Sequence, residues 1–234
     1  MNSDFLSTTS EAAVQAAEWI HGRRTVLPKR LVAPGPDAAE FQTIMGAAAA
    51  APDHGQLLPW RFVEVPQDQR ATLADLFAQA LLERDADATL DQQAQAREKA
   101  FRSPTLVLLI VDAACGDPDI DLGERFVSAG CAVQNVLLMA TAMGFGSSLT
   151  SGKALKSRAL RRHIGLGAHE HAVCFISVGR IASQRAPRAR PAVGDFLSVF
   201  GSAVSDGPGS ETGLHSGLTP RSLRGRRNIG CNAR

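Results

Sequence analysis

One long and almost wholly apolar helix constrains the fold of this 234-residue chain more than any other segment. Residues 122–143 form the longest helical stretch, and from Ala129 to Met143 the sequence is nearly apolar until Gly144 ends it. A helix that is hydrophobic most of the way round packs in a core or at an interface between subunits. We therefore expect this helix in the core or between two copies of the chain.

The other predicted elements indicate an α+β fold. Aromatic, β-branched or continuously apolar runs predict strands at 60–65, 105–111, 147–150 and 172–178. Helices are expected at 8–22, 37–51, 67–82, 88–101 and 154–164. Capping-box spacing marks the first two, from Thr8 to Glu11 and from Asp37 to Glu40. The regular strand–helix alternation of a doubly wound sheet is missing, so mixed α+β packing is expected.

The basic charge of the chain is concentrated at its C-terminal end. Residues 205–234 carry five of the 25 basic residues and two of the 23 acidic residues, so residues 1–204 have a net charge of −1. Gly, Ser, Pro and Arg dominate this segment, and too few apolar residues remain to offset the entropy of ordering it. We expect a folded domain over 1–204, a disordered basic tail over 205–234, and no nucleic-acid partner.

The cysteines and the N-terminal sequence favour a cytoplasmic protein. The four cysteines stand alone, without a C-x-x-C pair, as is usual for reduced thiols. The first residues lack the basic region of a signal peptide. The longest strongly apolar run, Leu106 to Val111, is far too short to span a bilayer. No membrane partner is expected.

Several motifs that look chemical lack the context that their chemistry requires. Residues 144–149 (GFGSSL) follow a helix, whereas a dinucleotide fingerprint follows a strand and needs a third glycine. Residues 146–154 (GSSLTSGKA) miss both the spacing of a P-loop and its Mg²⁺-binding hydroxyl. His163, His169 and His171 suit a solvated turn better than a zinc site. With no protein nucleophile or acid–base pair at recognisable spacing, the chain is expected to use a cofactor.

Three segments, taken in order, carry a resemblance to a known family. They are Arg23-Arg24-Thr25; residues 51–55 (APDHG) with 59–62 (PWRF); and residues 129–135 (AGCAVQN) leading to 143–146 (MGFG) and Ser151-Gly152. In order and spacing they resemble the small, single-domain FMN-dependent nitroreductases, over roughly residues 17–200. The resemblance implies a mostly antiparallel central sheet flanked by helices, in an intertwined homodimer with its active sites at the subunit interface.

The resemblance also implies the site residues. Arg23, Arg24 and Thr25 would contact the phosphate and ribityl chain of FMN, where forked guanidiniums match a dianionic phosphate. His54 would help to bind the same cofactor. Leu149, Thr150 and Ser151 would lie against the flavin of the partner subunit. Trp60 is expected to be a core residue rather than a flavin contact.

The chain departs from the family pattern at two places in this site. Leu149 and Thr150 stand where the family has tryptophan and arginine, and Ala50 stands where relatives often carry a basic residue. Arg180, at the end of the last predicted strand, is our candidate to supply the missing phosphate charge.

The resemblance implies electron transfer from NAD(P)H through FMN to a nitroaromatic or quinone-like acceptor. Two alternatives stay open. One is an enone or dehalogenating reductase on the same fold, since a fold does not fix the substrate. The other is a flavin-binding sensor or carrier without turnover, which the changes at Leu149 and Thr150 keep open.

Overall fold

A five-stranded sheet forms the centre of the structure, a computed structural model that describes residues 10–186 and 188–201. The strands are β1 (Leu31–Val32), β2 (Trp60–Glu64), β3 (Thr105–Asp112), β4 (Gly146–Thr150) and β5 (Glu170–Ile181). Their order is β1-β5-β3-β2, and β4 also pairs with β5. Every pairing between these strands is antiparallel, which confirms the predicted antiparallel sheet.

Six α-helices accompany the strands in the described part of the chain. They are α1 (Glu11–Gly22), α2 (Ala38–Gly46), α3 (Arg70–Leu82), α4 (Leu90–Glu98), α5 (Leu122–Ala142) and α6 (Arg158–Ile164). Short 3₁₀ turns extend α2 at Ala47–Ala50 and precede α6 at Lys153–Lys156. The predicted α+β class is therefore confirmed.

Both faces of the sheet are covered, as the continuous apolar run in β3 predicts. Alternate β3 residues point to opposite faces. Val107, Leu109 and Val111 join the core beneath α5, whereas Leu106 and Leu108 join a second core beneath α3 and α6. All six residues from Leu106 to Val111 are buried.

Helix α5 contributes more buried residues to the first core than any other element. The side chain of Asp121 caps its start by accepting the backbone N–H of Glu124 at 3.0 Å. Eight of its residues are buried, and the chain leaves the helix through Gly144 at a φ of +79°. A left-handed φ of this kind favours glycine. Helices α1 and α2 both contact α5, which confirms the predicted core position of this helix.

A buried arginine stabilises the layer on the other face of the sheet, which contains α3. The Arg70 side chain is about 1% exposed and donates to the carbonyls of Val65, Ala100, Ser103 and Pro104 at 2.8–3.3 Å. These carbonyls come from the ends of β2 and β3 and from the turn after α4. Desolvation lowers the pKa of Arg70, while the nearby charge of Glu64 opposes that shift.

The structure corrects three local predictions. Ser10 caps α1 by accepting the N–H of Ala13, so the helix begins later than predicted, and the predicted cap at Thr8 lies outside the described residues. The predicted helix over 154–164 is two pieces, because Ser157 caps a new helix there. Strand β1 lies between the first two predicted helices, in a segment for which no strand was predicted, where Leu31 pairs with Ile181. The capping box of Asp37 and Glu40, by contrast, is confirmed.

The chain divides into two compact units, residues 1–187 and 188–234. In the second unit the described residues contain one 3₁₀ turn, Val193–Asp195, in which Asp195 accepts the N–H of Ala192 at 2.8 Å. The predicted tail over 205–234 lies outside the described residues.

Candidate functional site

The Arg23-Arg24-Thr25 segment lies along the outer edge of β4. Helix α1 ends when the N–H of Arg23 donates to the Trp19 carbonyl. The chain then runs parallel to β4, where Thr25 bridges to Ser147 and the N–H of Val26 donates to the Ser147 carbonyl at 2.9 Å. Arg24 and Thr25 are exposed and Arg23 is half-buried. This edge thus presents basic and hydroxyl side chains to the surface.

The predicted residues 149–151 occupy the far end of the same strand. Leu149 is opposite Ile176 and Thr150 is opposite Phe175 on β5. Because directly paired residues share a face, Leu149 belongs to the α5 face of the sheet, and it is 45% exposed there. The partner of Thr25, Ser147, precedes Leu149 by two residues, or about 7 Å of strand. We call Arg23, Arg24, Thr25, Leu149, Thr150 and Ser151 the β4 cluster.

Arg180 lies beside the start of β4, where its guanidinium contacts an aromatic ring and a carboxylate. Its guanidinium carbon is 4.2 Å from the centre of the Phe145 ring, and a nitrogen is 3.6 Å from a Glu40 carboxylate oxygen. Gly146 allows this corner to close, because a Cβ there would lie 2.8 Å from both Leu31 and Ile181. Sequence reasoning found Arg180 but missed Glu40 and Phe145 as its neighbours.

His54 is anchored at the other end of α5. Its Nδ1 is 2.7 Å from a Glu124 carboxylate oxygen, and the ring is largely exposed. Nearby, the Asp53 carboxylate accepts the N–H of Leu58 at 2.6 Å. Glu124 was missed in the sequence, although its position three residues after the capping Asp121 was a visible signal.

A second buried arginine holds the loop that supports this pair. Arg125 is about 1% exposed and donates to the carbonyls of Cys115, Asp117 and Ile120 at 2.6–3.0 Å. The loop before α5 is therefore fixed to the first turn of the helix. This arrangement positions Glu124 for its contact with His54.

The His54–Glu124 pair and the Arg180–Phe145 contact are far apart within one chain. His54 contacts the first turn of α5, whereas Phe145 and Arg180 lie just after its last turn. A 21-residue helix is about 31 Å long at 1.5 Å per residue. The structure therefore places Arg23-Arg24-Thr25 along the same strand as residues 149–151, with Arg180 beside the start of that strand, whereas His54 contacts the opposite end of α5 from Arg180. Thr150 is opposite Phe175, so it faces the α3 and α6 side of the sheet rather than the α5 side of Leu149.

Other residues considered in the sequence have structural roles. Trp60 donates from its indole nitrogen to the Ser128 hydroxyl at 3.0 Å and packs against the α5 core, which agrees with its predicted role. Burial raises the pKa of the Cys174 thiol to about 11, so this thiol stays protonated at neutral pH. Within the described residues, no three His, Cys, Asp or Glu side chains group to hold a metal ion. No helix there is long and apolar enough to cross a membrane.

Comparison with known proteins identifies the family. The profile of the Nitroreductase family matches residues 20–180. An Escherichia coli K12 protein provisionally named NAD(P)H nitroreductase YdjA is 30% identical over 167 residues, which cover 71% of this chain and 88% of that protein. A Haemophilus influenzae protein with a similar provisional name is 30% identical over 151 residues, covering 64% and 81%.

Solved structures share the fold at lower identity. A nitroreductase-like family protein from Bacillus cereus aligns with a TM-score of 0.67 at 17% identity, over 80% of this chain and 96% of that one. A nitroreductase with bound FMN from Bacteroides fragilis aligns with a TM-score of 0.59 at 18% identity, over 79% and 98%. The chain belongs to the nitroreductase family of oxidoreductases, as the three sequence segments predict.

Proposed function

We propose that this protein is an FMN-dependent oxidoreductase that carries electrons from NAD(P)H to nitroaromatic or quinone-like acceptors. It would act as a homodimer with an FMN site at each end of the interface. The names of related proteins support the cofactor: one fold neighbour contains FMN, and another, NfnB, is described as dependent on FMN and NADPH.

The residues of the β4 cluster fit the polar part of FMN. Arg24 and Thr25 are exposed and consecutive, so a guanidinium and a hydroxyl are available to a phosphate and to ribityl hydroxyls. The exposed part of Leu149 adds apolar surface for a flat ring on the same edge of the sheet. Arg23 and Arg180 would add positive charge at the base of the cluster.

The separation of His54 from the β4 cluster supports a site shared between two chains. FMN is shorter than α5, so a cofactor whose phosphate is held at the Arg180 end of α5 would not also reach His54 of that chain. We infer that His54 serves the FMN held by the partner's β4 cluster. The resemblance assigned residues 149–151 to the partner's flavin, but they adjoin Arg23-Arg24-Thr25, so we assign both segments to one flavin.

An open face on α1 and α5 supports the homodimer. No residue of α1 is buried, and three of its large apolar side chains, Val14, Trp19 and Ile20, are each about half exposed. A lone helix of 12 residues is marginal in water and depends on packing. On α5, a strip at helical spacing is also incompletely covered; it consists of Val127, Gly130, Cys131, Gln134 and Leu138. A second copy of the chain would cover both surfaces.

When bound, FMN would supply the redox chemistry by accepting a hydride and passing two electrons to the acceptor. The chain itself would orient the cofactor and tune its electrostatics. Glu124 accepts from one ring nitrogen of His54, which leaves the other nitrogen available at the site. Leu149, in place of the family's tryptophan, leaves more room above the ring for a bulky acceptor.

We propose that residues 1–204 form the flavin-binding domain and that residues 205–234 form a tail outside it. The unpaired cysteines agree with a cytoplasmic protein.

The exposed Arg24–Thr25 edge beside β4 is the observation that carries the function. The purified protein should show flavin absorption bands, and added NAD(P)H should bleach them in the absence of oxygen. A nitroaromatic or quinone should then restore the bands and sustain NAD(P)H oxidation. Bound flavin without turnover would instead favour the sensor or carrier, and a protein that takes up no FMN would overturn the proposal.

Replacing Gly130 with arginine tests the dimer. A Cβ at this position meets nothing within 4 Å, so the protomer should accept the side chain. At an interface, the added volume and charge should weaken dimerisation and flavin binding together, each by at least about tenfold. Light scattering and flavin absorbance would measure both. Ala71→Arg, at an exposed position on α3, is the matched control. A G130R dimer of unchanged affinity would contradict this interface.

A further inference from the structure

A cavity of about 770 Å³ lies between the C-terminal end of α3 and helix α6, in the layer opposite α5. Its lining consists of Gln79, Glu83, Arg158, Arg161, Arg162, Gly165 and Leu166. The volume is in the range of small-molecule sites, about 300–1,000 Å³. None of its lining residues belongs to the β4 cluster or to the His54–Glu124 pair.

Three guanidiniums contribute to this cavity. Arg158 and Arg162 are four residues apart on α6, so they share one face of the helix. Arg161 donates to the carbonyls of Glu170 and Gly167 at 3.1 and 3.3 Å, and its charge also contributes to the lowered pKa of the Glu170 carboxyl, which Arg61 lowers most. The guanidiniums of Arg158 and Arg162 donate no hydrogen bond to any other residue that the structure describes.

The one carboxylate in the lining is already occupied. Glu83 accepts the backbone N–H groups of Arg158 and Ala159 at 3.1 and 3.2 Å. Desolvation opposes ionisation of Glu83, but these two bonds, the Ser157 hydroxyl and the Arg158 charge together lower its pKa. Glu83 therefore stays ionised and offsets one of the three positive charges in the lining, and Glu170, beside Arg161, offsets part of another. The cavity keeps an excess of positive charge and has available donors.

We propose that this cavity is a second ligand site, for a small anion that carries a phosphoryl or diphosphoryl group. Two guanidinium forks on one helix face match phosphoryl oxygens in planar, charge-assisted pairs. The Gln79 amide offers a further donor, and Leu166 offers apolar contact to the rest of such a molecule. The proposal stands whether or not the protein uses FMN.

Titration calorimetry with inorganic pyrophosphate on the flavin-loaded protein tests this site. Saturable binding is expected, and added salt should weaken it. The double variant R158Q/R162Q should lose on the order of 10- to 100-fold in affinity, because it removes charge-assisted hydrogen bonds. K99Q is the matched control. Lys99 is exposed and lies in the turn that Arg70 holds at the start of α3, whereas the cavity is at the C-terminal end of that helix. Melting temperatures should show that both variants fold.

Three results would overturn the proposal. One is pyrophosphate binding of equal strength in the wild type and in R158Q/R162Q. The second is loss of binding in Arg24→Ala but not in R158Q/R162Q, which would place the anion at the β4 cluster. The third is equal or tighter binding of citrate, because a site for polycarboxylates would then replace the phosphoryl site.

Discussion

Replacing Arg70 with methionine is expected to destabilise the protein by about 3–5 kcal/mol. Methionine fills much of the space but donates no hydrogen bond, so the carbonyls of Val65, Ala100, Ser103 and Pro104 lose their shared donor. Each buried polar group left without a partner costs about 1–3 kcal/mol. Pro104 keeps a second donor in Gln67, which is why the expected total stays below four full penalties.

Urea denaturation at a fixed flavin load measures this effect. Arg97→Met is the control, because Arg97 is exposed and pairs with Asp75 at the surface. Such pairs contribute about 0–1 kcal/mol. Arg70→Lys should fall between the two, since lysine keeps the charge but cannot reach four carbonyls with one fork. A loss below about 1 kcal/mol in R70M would show that Arg70 does not fasten this layer.

Replacing Arg23 or Arg24 with alanine is expected to weaken FMN binding by about 10- to 100-fold. In the proposed site each change would remove a charge-assisted hydrogen bond of about 1.5–3 kcal/mol to the phosphate, and about 1.4 kcal/mol corresponds to a factor of ten. Lysine at either position should restore only part of the affinity, because it lacks the planar fork. The melting temperature of the flavin-free protein should change little.

Titration of FMN into the stripped variants provides the measurement. Lys99→Ala, an exposed change in the layer opposite α5, controls for a general loss of positive charge. If both single variants and the double variant bind FMN as tightly as the wild type, the two arginines form only a solvated turn.

Local sequence patterns were sufficient for most of the fold. The apolar run of β3 and the long helix α5 each lie where predicted, because their side chains must be buried whatever the partner. The capping box at α2 is local in the same way, since both of its residues lie within one helical turn.

Features that depend on distant residues were not predictable in this way. Strand β1 has only two residues and exists because Leu31 meets Ile181, 150 positions later. Glu83 caps α6 from the end of α3, which helps to start that helix later than expected. The local sequence pattern of neither segment predicts a contact with such a distant residue.

In the candidate site, too, local motifs were visible in the sequence but contacts between distant residues were not. The arginine pair, His54 and residues 149–151 were proposed from motifs, but the positions of Arg180 and His54 at the two ends of α5 follow only from tertiary structure. The contact between Glu124 and His54 joins residues 70 positions apart. Motif order alone could not assign these residues to one chain or two.

Subunit complementation tests the shared site most directly. Dimers of R23A/R24A and dimers of H54A should each bind FMN poorly, because every site carries a defect. If each site takes its arginines from one chain and His54 from the other, a mixed dimer would have one site with all of the substitutions and one site with none. We predict that the mixed dimer, isolated with two different affinity tags, recovers one tightly bound FMN per two chains. If it binds FMN no better than its parents, His54 and the arginines belong to the same chain's site, and the shared-site account is wrong.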